Sequence, residues 1–297
     1  MNTIPAKTIL THISDHSYFG NDYIMNLYKG CCHGCIYCDS RSSCYQIENF
    51  DEVRAKENAL PILEKELRSK IKTGVIATGS MSDPYNPCEE KYRLTRQALE
   101  LVDRYHFGIS IATKSSLITR DIDLLKRISK HSPVLCKITI TTSEDALSKK
   151  LEPTVNPSSD RLQAIRDLTE AGIYAGILMT PVLPFLTDTE DNVKNLVHRA
   201  HEHGAKFIYA LFGMTLRNGQ REYYYSKLKE YFPGRDLVQQ YTGRYGDTYE
   251  CHSPEAKRLY SIFRSECERY GILYRMQDII DSYKKSYVYE QFSLFGK

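Results

Sequence analysis

The chain has 297 residues, 41% of them hydrophobic and 26% charged, which suits one barrel or two ordinary domains with a core that needs no disulfide staple. Its formal net charge of +3 is only faintly basic and by itself argues for no partner. The start, MNTIPAKTIL, lacks the basic and apolar run of a signal peptide, and the longest apolar stretch, AGILMTPVLPFL, is short for a bilayer and broken by Pro181 and Pro184; a cytoplasmic chain without membrane contact is expected.

In chain order, runs rich in β-branched and aromatic residues alternate with segments of helical spacing. YIMNLY reads as the first strand and is followed, after the helical segment DEVRAKENALPILEKELRSK, by the strand GVIATGS. KYRLTRQALELVDRY leads to GISIATK, TRDIDLLKRISK to VLCKITIT, SSDRLQAIRDLTEAG to IYAGILMTP, and TEDNVKNLVHRAHEHG to KFIYALFG. Ser158, Ser159 and Asp160 offer N-caps, and Gly172 and Gly204 stand where a C-cap glycine belongs. Strands separated by helix-length connections imply a parallel sheet. No GxGxxG follows the first strand, so a partial (β/α)6 barrel of TIM type is expected over residues 1–212 rather than a dinucleotide fold. A helical, tyrosine-rich extension is expected over 213–297, where 13 of the 23 tyrosines lie.

Cys31, Cys32, Cys35 and Cys38 place four of the nine cysteines directly after the first strand, at the C-terminal face where barrels carry their chemistry. In a reducing compartment such a group holds a metal or does redox work. Two triplets are open: Cys31, Cys35 and Cys38 as CxxxCxxC, or Cys32, Cys35 and Cys38 as CxxCxxC. Three thiolates suit a [4Fe-4S] cluster with one open iron, whereas structural zinc needs four closed ligands, with His33 the only other nearby candidate. Cys44, Cys88, Cys136, Cys251 and Cys267 are scattered and read as small buried hydrophobes.

CxxxCxxC on the loop after strand one of a barrel, with Tyr37 before the third cysteine, resembles the radical S-adenosylmethionine (SAM) superfamily. NLYKGCCHGCIYCDSR, TGSMSDPYNPCEEKYRLTRQALE, LEPTVNPSSDRLQAIRDLTEAGI and GILMTPVLPFLTD are similar to its spore photoproduct lyase-like group, also labelled DNA repair photolyases. The resemblance implies a [4Fe-4S] cluster on Cys31, Cys35 and Cys38, SAM on its open iron, and an external reductant such as flavodoxin or ferredoxin. It implies that Tyr37 packs beside the adenine and that Thr78, Gly79 and Ser80 face the methionine amino group. Thr139, Thr141 or Ser143 would meet the ribose. Asp83 and Tyr85, beside Pro84 on the second strand's loop, are candidates for facing the substrate.

Two departures stand out. Spore photoproduct lyase carries a hydrogen-donating cysteine where this chain has Ser80, and a relay tyrosine where it has Asp39. A serine O–H is a poor hydrogen-atom donor, so the lyase reaction in its known form is not expected here. Cys88 and Cys136 are candidate replacements for the donor.

The tail ends in YEQFSLFGK. Gln291, Phe292, Ser293, Leu294 and Phe295 resemble the pentapeptide with which bacterial repair proteins bind the sliding clamp, Leu294 and Phe295 serving as apolar anchors. Tail tyrosines and arginines could stack bases and meet phosphates, although 14 Lys/Arg among 11 Asp/Glu make no basic patch. His198, His201 and His203 fall on the last turns of a helix, away from the catalytic face. The expected function is a radical SAM enzyme acting on damaged or modified DNA. A protein, RNA or small-molecule substrate, or a non-catalytic clamp-associated iron-sulfur protein, is the alternative.

Overall fold

The structure, a computed structural model, describes residues 1–79 and 81–287. Ser80 and the peptide at 291–295 lie outside them.

A seven-stranded sheet organises the chain. Its strands are β1 (Leu10–His12), β2 (Tyr23–Met25), β3 (Val75–Thr78), β4 (Gly108–Thr113), β5 (Val134–Thr139), β6 (Ala175–Met179) and β7 (Ile208–Ala210). β2 to β7 are parallel and lie side by side in chain order, and β1 adds an antiparallel edge against β2. Helices fill the crossovers: α1 (Ala59–Arg68), α2 (Leu94–Arg104), α3 (Ile122–Ile128), α4 (Ser158–Glu170) and α5 (Glu190–Glu202). This is the six-stranded partial barrel expected from the alternation.

Caps and strand pairing decide the boundaries. Thr189 accepts the Asn192 N–H and caps α5. At α4 the expected cap residues lie inside the first turn instead, because the helix starts at Ser158, and Ser159 donates to Asp145. The helix expected from residue 51 begins only at Ala59. Arg54–Lys56 is a strand that pairs with Thr3–Ile4 and Tyr28–Lys29, partners that local periodicity does not reveal.

Strand parity sorts the side chains into two layers. Ile76, Ile109, Ile111, Cys136, Ile138 and Ile177 belong to the core shared with the helices. The opposite positions face the barrel interior. At its N-terminal end Val75, Leu135 and Phe207 pack with Phe19 and with Ile279 and Tyr283 of the last helix, so the tail closes the barrel floor.

After β7 come α6 (Gln220–Tyr231), α7 (Leu237–Tyr245), α8 (Ala256–Tyr270) and α9 (Met276–Lys284), with a two-stranded pairing of Gly213–Thr215 and Glu250–His252. α8 packs on α5. Tyr224, Tyr241 and Tyr283 are buried, and the first two bond to each other at 3.0 Å. Tyr249 and Tyr260 remain exposed. Among the described residues no helix is long and apolar enough to cross a membrane.

Candidate functional site

The cysteine loop follows β2 and is fixed from two sides. Phe50 accepts the Cys31 N–H at 2.9 Å, while Leu151 accepts the Ile36 N–H at 2.9 Å and Thr154 donates its hydroxyl to the Cys32 carbonyl at 2.6 Å. Gln220 of α6 donates to the Tyr37 carbonyl at 2.9 Å, bringing the tail onto the same loop.

Beside the loop opens a cavity of about 660 Å³, within the ordinary range for a nucleoside-sized ligand. Cys31, Cys35 and Cys38 all line it, together with Thr78, Gly79, Asp83 and Thr139. Cys32 does not. It packs against the helix-side core, and burial first, with the neighbouring thiols, pushes its pKa up to about 11. Among the described residues no three Cys, His, Asp or Glu side chains converge around a single ion. Three thiols that line one cavity without closing on a single ion fit a multi-iron cluster better than a closed zinc site.

Gly79 ends β3 at a φ of +87°, where a Cβ would come within 2.2 Å of the Ala112 carbonyl oxygen. The backbone passes this point only because it has no side chain. The Thr78 hydroxyl beside it is buried with no partner in the protein, and by strand parity it shares the helix-side direction of Ile76, where Thr78 also borders a small cleft with Met25, Leu27 and Thr95. Ser82 donates to the Gly30 carbonyl at 2.5 Å and so joins the β3 loop to the cysteine loop.

Asp83 is the electrostatic hub. It accepts from Thr113 Oγ1 at 2.6 Å, from the Lys114 N–H at 2.8 Å and from the Tyr85 N–H at 2.9 Å, and it lies 3.4 Å from His33 Nδ1. Burial alone would raise its pKa, but His33 and these hydrogen bonds outweigh it and keep the carboxylate ionised. His33 is correspondingly pushed up by Asp83 against its own burial, and its ring acts on Cys31 to lower that thiol.

Lys114, which sequence reasoning passed over, lines the cavity next to the thiols. Burial raises the pKa of Cys35 and Cys38, and the Lys114 ammonium is the first influence opposing it in both. The signal was its place at the end of GISIATK, on the catalytic face.

Of the remaining candidates, Tyr37, Tyr85, Cys88, Cys136, Thr141 and Ser143 do not line the cavity. Tyr37 is buried, and its hydroxyl donates to Glu152, which also accepts from Arg161. The Tyr85 hydroxyl donates to Asp121 at 3.1 Å, within a buried network that includes Arg120. Cys88 and Cys136 pack in the helix-side core, Cys136 because it is opposite in strand parity to Lys137. Thr141 is buried with its hydroxyl unpartnered, and the Ser143 backbone is held by Asn192 and Arg199; neither lines the cavity. Asp39 does line it and accepts from Tyr45 at 2.7 Å and Thr215 at 3.1 Å. The three helix histidines diverge: His198 pairs with Glu202, His201 stacks on Tyr270, and His203 donates to the Arg199 carbonyl.

The thiols stand at the C-terminal end of the first parallel strand of this partial barrel, and residues 25–200 match the radical SAM superfamily. The chain belongs to that superfamily and is a radical SAM enzyme, a family that implies a [4Fe-4S] cluster and SAM. An uncharacterized protein of Mycobacterium tuberculosis is 27% identical over 247 residues, 81% of this chain and 72% of the relative. A radical SAM Nalpha-GlyT isomerase of Pseudomonas phage M6 is 29% identical over 133 residues, 45% of this chain and 27% of that one. A spore photoproduct lyase variant shares the fold with a TM-score of 0.67 and 18% identity, over 91% of this chain and 80% of its own. Another lyase structure, with bound AdoMet and dinucleoside spore photoproduct, has a TM-score of 0.61 and 18% identity over 86% and 76%.

Proposed function

We propose that Cys31, Cys35 and Cys38 hold the cluster and that the enzyme acts on a damaged or modified nucleotide of DNA. The observation that carries the first part is that these three thiols, and not Cys32, line one cavity. When bound, the cluster and SAM supply a reductive cleavage that gives a 5'-deoxyadenosyl radical.

The chain's own residues do the rest. Asp83 orients His33 beside Cys31 and fixes the β3 loop; the Lys114 ammonium offsets negative charge at the thiolates; Gly79 lets the backbone run close to Ala112. Thr139, on the interior face of β5 with Lys137, offers a hydrogen bond to the cofactor. The shared fold with a lyase solved with a dinucleoside supports a nucleotide substrate.

The outcome differs from that of the lyase. Among the described residues the only thiols lining the cavity are the three given to the cluster, so no further cysteine stands ready to donate a hydrogen atom. Recruitment to DNA through the 291–295 peptide and the sliding clamp belongs to the same proposal.

The test is 5'-deoxyadenosine formation by anaerobically reconstituted protein with SAM and dithionite, with and without ultraviolet-irradiated DNA. Product that requires Cys35 and changes with irradiated DNA supports the reading. Product indifferent to every DNA moves the substrate to protein, RNA or a small molecule.

A further inference from the structure

The deep part of the cavity carries one basic group that stands apart from the three thiols and the Asp83 network. Ala77 and Ala112 leave the barrel interior open, and between them and the apolar floor stands Lys137, 2% exposed, in the middle of β5. It lies two residues, or about 7 Å, deeper than Thr139 on the same strand face.

Its Nζ donates to Ser110 Oγ at 2.7 Å and sits 4.6 Å from the centre of the Phe19 ring and 6.0 Å from that of Tyr18. No carboxylate answers it among the described residues. Asp83 is engaged by His33, Thr113 and Lys114; Asp39 by Tyr45 and Thr215; Asp15 accepts the Ser17 N–H. An ammonium has three protons to donate, and one is used.

A side chain needed only to fill the floor would be apolar, as Val75, Leu135 and Phe207 are. A lysine there costs desolvation without an internal counter-charge. Burial accordingly lowers its pKa to about 7, so an arriving anion would draw a proton onto it.

We propose that Lys137 is a specificity-determining residue that receives an oxyanion of the substrate, a carboxylate or phosphate oxygen, at the deep end of the cavity. The proposal rests on this cavity being the reaction chamber. It deepens that reading by requiring the substrate to present negative charge to the barrel floor while its reacting carbon faces the cysteine loop.

The experiment uses the full chain with cluster oxidised and SAM bound, carrying [ε-¹³C]lysine. Lys137→Met assigns the resonance by its loss, and Lys137→Gln serves if that variant does not fold. The resonance is titrated in chloride, inorganic phosphate and acetate at equal ionic strength. The expected result is a titration midpoint raised by about one pH unit by phosphate or acetate, a tenfold preference for the charged form, and unmoved by chloride. A shift with phosphate alone points to a phosphate ester and one with acetate alone to a carboxylate. An unchanged midpoint in both arms overturns the proposal. Formation of 5'-deoxyadenosine by the same wild-type sample is scored separately. Its absence beside a raised midpoint would leave the anion site standing and remove the reaction-chamber reading.

Discussion

Glu152 and Arg161 meet with both side chains wholly shielded from solvent, and the same carboxylate accepts the hydroxyl of Tyr37, the residue before Cys38. Arg161 also donates to the Thr139 carbonyl at 2.7 Å and to Ser148 at 2.6 Å. One guanidinium therefore ties the C-terminal end of β5, the helix α4 and the cysteine loop together.

Arg161→Met is expected to strand the Glu152 charge in the core. Breaking one side of a buried pair costs about 3–5 kcal/mol. The melting temperature should fall, and the iron-to-protein ratio after reconstitution should fall with it, because the loop carrying Cys35 and Cys38 loses its anchor. A variant that melts early yet loads iron fully would confine the pair to a stability role.

The two cysteine triplets make opposite demands. Cys31→Ser is expected to abolish the visible absorption of the cluster and 5'-deoxyadenosine formation, whereas Cys32→Ser should keep both near wild type. The reason is placement: Cys31 lines the cavity beside His33, and Cys32 packs into the helix-side core. The reverse pattern would hand the cluster to the CxxCxxC triplet.

Gly79→Ala forces a Cβ toward a carbonyl oxygen 2.2 Å away, at a φ of +87° that a side chain disfavours. The backbone cost is about 1–3 kcal/mol, with the clash added to it. SAM binding, followed by equilibrium dialysis on the oxidised protein, should weaken more than tenfold while the far-ultraviolet circular dichroism persists. Unimpaired binding would show that the β3 loop does not touch the cofactor.

The alternation of strands and helices was readable because parallel strands buried on both faces are continuous apolar runs, and the cysteine motif because its spacing is local. What escaped depends on which way a side chain points or on partners far apart in the chain. Lys137 stood in view within VLCKITIT, but its direction follows only from the parity that sends Cys136 to the helices. Glu152 and Arg161 look like surface charges until their mutual burial is known. Arg54–Lys56 resembles a helix start because its strand partners, Thr3–Ile4 and Tyr28–Lys29, are non-local. The tyrosines of the tail divide between packing and exposure in a way composition does not predict, Tyr241 buried against Tyr224 and Tyr260 open.

Lys137 also makes a pH signature in stability. Its folded pKa, depressed by burial to about 7, lies below the 10.5 of an ordinary lysine. Between these values the unfolded chain binds the extra proton, so this group's contribution is complete above the unfolded value and is lost as pH falls through the folded one. His33 has the opposite sign, since Asp83 raises its pKa in the folded protein, and it offsets Lys137 in the wild-type profile. The difference between wild type and Lys137→Met cancels His33. From about pH 7 to 8.5, below the ordinary titration of cysteine, wild type should gain on Lys137→Met by a slope approaching about 1.4 kcal/mol per pH unit, read from urea unfolding at each pH. Parallel curves for the two proteins would mean that Lys137 keeps its proton when buried and has a counter-charge inside the barrel.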